Sequence, residues 1–434
     1  MTVTLPGSMP TVAVLPNGVT LINAPFPSRN VGVMLIVRAG SRDETRATAG
    51  LAHFLEHLFF KGTRHRPTTM AITREVDRLG AITNAYTDTE EVAYYAEGPA
   101  TAAHDLGDII TDMMSRPLFD AEEVERERNV VLQELAARLL RPQGWIGDRL
   151  FSVAYGGDQP LSWSAAGFPS VVQAVTREAI VDYHASFYAP SLMALVVSGG
   201  NGISEDEATA LLADIPKASP RPREQAVWGQ GDRYVANIRP MSADEEAQVD
   251  LTLAFPGISA RDSDRSALSV MSHVLGTGMS SRLFHTVRER EGLCYRISAG
   301  HDAFDDTGLY AISTATRPKD AARAVALSMG ELRRMATEPV PDDELQATKA
   351  SMVGRLLRGT ETAGASTHWY AARWRSLLPI ETPDQRAATL LDVTAEQVQR
   401  VAQRIVAGTD QARLAFVGPR DQGEELLEAA AAAH

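Results

Sequence analysis

Arg138-Leu139-Leu140-Arg141 returns as Arg355-Leu356-Leu357-Arg358, 217 residues further along a chain of 434. The correspondence extends on either side. Gly40, which closes the apolar run Val33 to Gly40, stands opposite Gly257, which closes Val249 to Gly257, again at 217. Val175-Thr176-Arg177-Glu178 stands opposite Val393-Thr394-Ala395-Glu396 at 218, and in both the Thr reads as a helix N-cap with an acid in the first turn. Each half then ends on an apolar strand running into glycine, Leu195 to Gly199 and Leu414 to Gly418. Several matches in one order at nearly one offset indicate a duplicated domain. The expected organisation is a first domain over 1–217, a linker over 218–246 containing Ser219, Pro220, Arg221, Pro222 and Arg223, and a homologous second domain over 247–434.

Within each half, strands alternate with long helical stretches such as Ala121 to Leu140 and Pro318 to Met335, and Leu15-Pro16-Asn17-Gly18-Val19 reads as a hairpin turn. The fold class that follows is α+β, with each domain a mainly antiparallel sheet backed by helices. Glu424 to Ala433 reads as an Ala-rich helical or frayed tail without visible function. Lys and Arg number 42 against 55 acids, a net charge of −13, which argues against a nucleic-acid partner and mildly favours cationic substrates. No apolar run reaches the length of a membrane helix, so no membrane partner is expected. One cysteine, Cys294, excludes an intrachain disulfide, and Met1 to Thr20 lacks the layout of a targeting segment, so a cytoplasmic location is expected.

The chemistry is concentrated in His53-Phe54-Leu55-Glu56-His57. On a helix, two histidines four residues apart project from one face, which suits two ligands of a zinc ion, and Glu56 flanks that face. The order is that of the metalloprotease motif His-Glu-x-x-His reversed, an inverzincin arrangement. A zinc site needs a third protein ligand, with one position left for water. The region to search is the acid-rich helix from Ala121. Glu122, Glu123 and Glu125 read as a solvated face there. Glu134 lies in the apolar setting Val130-Val131-Leu132-Gln133-Glu134-Leu135, where an acid wants a cation; Glu127 shares its face two turns away. The residues alone make Glu134 a candidate without fixing it.

Further stretches, Ala39-Gly40-Ser41-Arg42-Asp43-Glu44, Gly50-Leu51-Ala52 before the motif, Phe60-Lys61-Gly62-Thr63 and Asn84-Ala85-Tyr86-Thr87, carry a resemblance over almost the whole chain. The sequence resembles the pitrilysin and insulysin clan of zinc peptidases, in the short-chain branch with the mitochondrial processing peptidase subunits and their bacterial relatives. The resemblance implies a third ligand with 76 residues between it and the second histidine, and 134 − 57 = 77 places it at Glu134. It implies a supporting glutamate at Glu127, general-base work by Glu56, and one Zn2+ per chain held by His53, His57 and Glu134. Asn84, Ala85, Tyr86 and Thr87 become an edge strand to which substrate adds as a further strand. Arg288 and Tyr295 become the pair that holds the oxyanion. By the same likeness each chain is half of a clamshell, its own Arg288 and Tyr295 lie far from its zinc, and two chains close into a chamber that admits unfolded peptides.

Because the chain keeps both the zinc motif and the Arg288 and Tyr295 pair, a homodimer is expected. The alternatives are a subunit active only with a degenerate partner and a non-catalytic structural member. A metal-binding protein that cleaves nothing is disfavoured by Glu56. The short stretch Leu275 to Ser281, where processing peptidases carry an extended glycine-rich loop, favours a broad peptidase over a presequence-specific one. The repeat supplies an internal comparison. At 217, His53 and His57 fall opposite Val270 and Val274, Glu56 opposite His273, and Glu134 opposite Ser351, while Glu127 keeps its type as Glu344. The second half is therefore expected to act as wall and oxyanion clamp.

Overall fold

The computed structural model describes residues 9–220, 222–239 and 248–432. The first sheet contains β1 (Thr11–Val14), β2 (Thr20–Ala24), β3 (Asn30–Val37), β4 (Ile82–Thr87), β5 (Val92–Pro99) and β6 (Met193–Ser198), in the order β1-β2-β6-β3-β5-β4. The second contains β7 (Tyr234–Ile238), β8 (Val249–Pro256), β9 (Cys294–Ala303), β10 (Gly308–Thr316) and β11 (Arg413–Gly418), in the order β7-β11-β8-β10-β9. With β1 set aside, the second order repeats the first strand for strand. Even the parallel pair recurs, β2 with β6 and β7 with β11, while the other neighbours are antiparallel. This is the duplicated α+β architecture that the internal repeat predicts. Thr176 and Thr394 both cap helices, accepting from the backbone N–H of Ala179 and Gln397.

β3 reads as a continuous apolar run because both faces of its sheet are covered. Val31, Val33, Leu35 and Val37 join the larger core, which includes the helix Leu51–Phe59. Met34 and Ile36 point the other way, into a cluster with Ile22, Ala194, Val196, Tyr370 and Ala371. The last two belong to the helix Ala363–Arg375, from the second half of the sequence. In the second sheet, Ala254, Ala415 and Val417 are covered by Ile146, Leu150 and Val153 of the helix Pro142–Tyr155, from the first half.

The packing units are therefore discontinuous and do not follow the expected cut into 1–217 and 247–434. One holds the residues up to Ala137, then Trp163–Glu224 and Leu357–Asp384; the other holds Arg138–Ser162, Gln225–Leu356 and the chain from Gln385 onward. The physical reason is that each sheet has a second apolar face, and the helix covering it comes from the other half of the chain. The repeated Arg-Leu-Leu-Arg stretches mark where these exchanged segments begin. The expected linker 218–246 is partly structured. Arg223 donates to Asp43 at 2.9 and 2.8 Å, and β7 lies within the span. Arg221 and 240–246 of that span lie outside the described residues.

Candidate metal centre

The helix Leu51–Phe59 buries Leu51, Ala52, Phe54, Leu55, Leu58 and Phe59, leaving His53, Glu56 and His57 as its half-buried stripe. The spacing i, i+3, i+4 puts those three side chains on one face. Its N-cap is Gly50 at φ +106°, a left-handed conformation, and a Cβ there would lie 2.9 Å from the Ala166 carbonyl oxygen. Gly50 offers no capping side chain, and Glu44 supplies one from the preceding loop. Its carboxylate accepts from the backbone N–H of Gly50 and of Ala52, both at 2.7 Å, and from the Tyr183 hydroxyl at 3.1 Å. Burial pushes the Glu44 carboxyl up to about 8 against the lowering pull of these donors.

The third ligand candidate comes from the helix Ala121–Leu140, whose bounds match those read from the sequence. Glu134 Oε2 lies 3.8 Å from His53 Nε2 and 3.5 Å from His57 Nε2, and one ligand atom from each of the three residues falls within 4.8 Å of the others. Two imidazole nitrogens and a carboxylate oxygen so gathered fit a catalytic zinc site with three protein ligands. The residue is the expected one, but the burial argument for it fails. The Glu134 side chain is 54% exposed and Val130 lies at the surface, whereas Glu127 is the buried acid of this helix. Glu122, Glu123 and Glu125 form the solvated face as expected, paired with Arg126 and Arg128.

Glu127 Oε2 meets His57 Nδ1 at 3.1 Å, which leaves His57 Nε2 for the metal side. Its other oxygen, Oε1, lies 2.6 Å from Lys61 Nζ. Glu56 accepts a 2.7 Å hydrogen bond at Oε2 from the Thr87 hydroxyl. Burial raises the Glu56 carboxyl above its ordinary value, offset by the Thr87 hydrogen bond and by His57. Lys61, Glu44 and the Thr87–Glu56 contact are features of the site that motif reading misses. The only trace of Lys61 was its place in Phe60-Lys61-Gly62-Thr63, and a contact between a helix and a distant strand has no local signal.

Residues 19–162 match the family described as Insulinase (Peptidase family M16), and residues 174–352 match the one described as Peptidase M16 inactive domain. An uncharacterized zinc protease of Mycobacterium leprae is 32% identical over 90% of this chain and 88% of its own length. An uncharacterized zinc protease of Bacillus subtilis is 27% identical over 93% and 97%. The chain belongs to peptidase family M16.

Two solved structures share the M16 fold at 20% identity. A protease from Helicobacter pylori superimposes with a TM-score of 0.81, covering 94% of this chain and 99% of that one. A peptidase M16 inactive domain from Pseudomonas fluorescens gives 0.84, with 95% and 98% covered.

In this M16 chain β4 is an edge strand of the first sheet, as expected. Its side chains alternate. Ala85 is buried in the core on the side of the helix Leu51–Phe59, and Thr87 reaches Glu56. Tyr86 instead packs with Tyr95 and His368 on the opposite face, and its hydroxyl donates to Glu91 at 3.0 Å. The Asn84 side-chain oxygen accepts from the backbone N–H of Ala85 at 2.9 Å. Burial and the Glu91 carboxylate hold the Tyr86 hydroxyl protonated.

Arg288 and Tyr295 lie in the second unit. The Arg288 guanidinium stands 4.7 Å from the Phe284 ring and 5.2 Å from the Tyr295 ring, a stacked cation between two aromatics. Tyr295 is 80% exposed on β9, the edge strand equivalent to β4. Val270 and Val274, read at 217 as opposite the histidine pair, are buried in the second core, whereas the burial of the two helices matches at 216 and sets Ser269 and His273 opposite His53 and His57. Glu344, aligned with Glu127 at 217, stands in the first turn of its helix as Glu123 does in the helix Ala121–Leu140, and is held by Arg282 through both carboxylate oxygens at 2.9 and 2.7 Å. Cys294 is half-buried on β9, and burial raises its thiol, which suits packing better than nucleophilic attack. His65 and His104 are largely exposed, and His368 packs edge-on against Tyr95. No helix among the described residues is long and apolar enough to cross a membrane.

Proposed function

We propose that this chain is a zinc-dependent endopeptidase of unfolded peptides, working as a homodimer whose two chains enclose the substrate. The observation that carries the reading is the convergence of His53 Nε2, His57 Nε2 and Glu134 Oε2 beside Glu56. The names of the M16 relatives, zinc proteases, point the same way.

His53, His57 and Glu134 would hold one ion per chain. When bound, zinc supplies Lewis acidity to the scissile carbonyl and makes a water nucleophilic near neutral pH. Glu56 takes the proton of the attacking water at its carboxylate and returns it to the leaving amine. Thr87 fixes one oxygen of that carboxylate, and Glu127 fixes the His57 ring. The free edge of β4 offers main-chain hydrogen bonds to an extended substrate segment, which gives affinity without demanding sequence. Arg288 and Tyr295 of the facing chain donate to the developing oxyanion; the exposure of Tyr295 supports that role. Cytoplasmic residence belongs to the same proposal, supported by the single cysteine.

The test is cleavage of a mass-resolved peptide mixture by the purified chain, with zinc, with a chelator, and with Glu56→Gln. Cutting that vanishes with chelator and falls about 100-fold or more in the variant, which still binds zinc, is the expected result. Zinc bound without any cutting would reject the self-sufficient homodimer and leave a subunit that requires a different partner, or a non-catalytic member.

A further inference from the structure

Glu127 has two carboxylate oxygens and two different partners. Oε2 meets His57 Nδ1 at 3.1 Å, and Oε1 meets Lys61 Nζ at 2.6 Å. The carboxylate is 8% exposed and Lys61 is 25% exposed, so this is a charge pair largely withdrawn from water. The helix Asp342–Arg358 of the second half shows a different pairing of a glutamate with a cation. There Glu344, in the first turn of its helix as Glu123 is in the helix Ala121–Leu140, gives both oxygens to Arg282, through Nε to Oε1 at 2.9 Å and through a terminal nitrogen to Oε2 at 2.7 Å.

The difference between the two cations is geometric. A guanidinium presents two parallel N–H groups and engages a carboxylate as a fork, taking both oxygens. An ammonium is a point charge and takes one. We infer that Lys61 is a positioning residue for the metal centre: by neutralising Glu127 through one oxygen, it leaves the other to accept from His57 Nδ1 and so turns His57 Nε2 toward the metal. The identity of the cation, lysine rather than arginine, is part of the site. This rests on the reading that His53, His57 and Glu134 bind zinc.

The experiment is a zinc competition titration against a chromophoric chelator, run on wild type, Lys61→Met and Lys61→Arg. In parallel, the His57 ring of each metal-free protein is assigned by nitrogen NMR. Removing an outer partner of a ligating histidine typically weakens metal affinity 10–100-fold. Lys61→Met is expected to bind zinc at least about 10-fold more weakly. Lys61→Arg keeps the charge, yet is expected to weaken binding by a similar factor, because the fork claims the oxygen that His57 needs. In both variants the His57 Nδ1–H tautomer is expected to lose population. A merely structural lysine predicts a different pattern, in which arginine restores wild-type affinity and the tautomer is unchanged. Wild-type affinity in either variant would overturn the inference. Failure of the wild type to bind zinc would instead remove the metal site on which it rests, and the two failures are read from different samples.

Discussion

The Thr87 hydroxyl donates a 2.7 Å hydrogen bond to Glu56 Oε2, tying the edge strand to the helix Leu51–Phe59 at the carboxylate of the motif. A hydrogen bond to a charged group contributes about 1.5–3 kcal/mol, a factor of roughly 10–100. Thr87→Val is therefore expected to lower kcat about 10–100-fold with zinc affinity unchanged, while Thr87→Ser stays within a few-fold of wild type. Steady-state kinetics with zinc titration check this. An equal loss in the serine variant would show that the methyl group, not the hydroxyl, matters.

The three ligand atoms belong to two helices of one packing unit, so zinc should stabilise that unit on binding. At a free concentration 100 times Kd the gain is about 2.7 kcal/mol, on the order of 5–10 °C in Tm. Thermal unfolding with graded zinc is expected to show this rise in wild type and to lose it in Glu134→Ala. A zinc-dependent rise that persists in the variant would place the binding elsewhere.

Glu44 gives the fold a pH dependence independent of activity. Burial holds its carboxyl at about 8 in the folded chain, above the ordinary value of 4.5, so the folded state keeps a proton that the unfolded state releases. Its contribution is complete below about pH 4.5 and is lost as pH rises through about 8, a fall on the order of 5 kcal/mol. Urea midpoints measured across that window are expected to decline for wild type and to flatten for Glu44→Gln. An unchanged slope in the variant would assign the dependence to other groups.

Arg375 carries charge from the returning segment to the edge strand side of the first unit. Its Nε lies 2.6 Å from Glu91, whose other oxygen accepts from Tyr86, and a terminal nitrogen lies 3.8 Å from Glu90. Both acids are buried, and breaking a buried pair by removing one partner costs about 3–5 kcal/mol. Arg375→Met is expected to lose stability at the lower end of that range, with part recovered in Arg375→Met/Glu91→Gln. Additive losses in the double variant would show that the two groups do not interact.

Local patterns made the duplication, the strand runs, the Thr caps and the helix Ala121–Leu140 legible, because period and capping chemistry are written in neighbouring residues. The histidine pair was legible for the same reason. Glu134 was reached through the family spacing; its apolar neighbours suggested a burial that the helix does not give it, since Val130 faces outward while Val131 and Leu135 face inward. Lys61 on Glu127, Thr87 on Glu56 and Arg375 on Glu91 were not legible. Each joins residues far apart in sequence, and nothing near either partner announces the other. The exchange of helices is not legible, because an amphipathic helix carries no mark of which sheet it will cover.

The exchanged helices have a consequence for inheritance. A gene divided between the two homologous halves would not yield two modules, since each product would lack the cover for its own sheet and carry the cover for its sibling's. The halves must then have diverged as a couple. One could shed its histidines and the other keep them, but neither could be transplanted, swapped for a cousin's or discarded without stripping a hydrophobic face on the other.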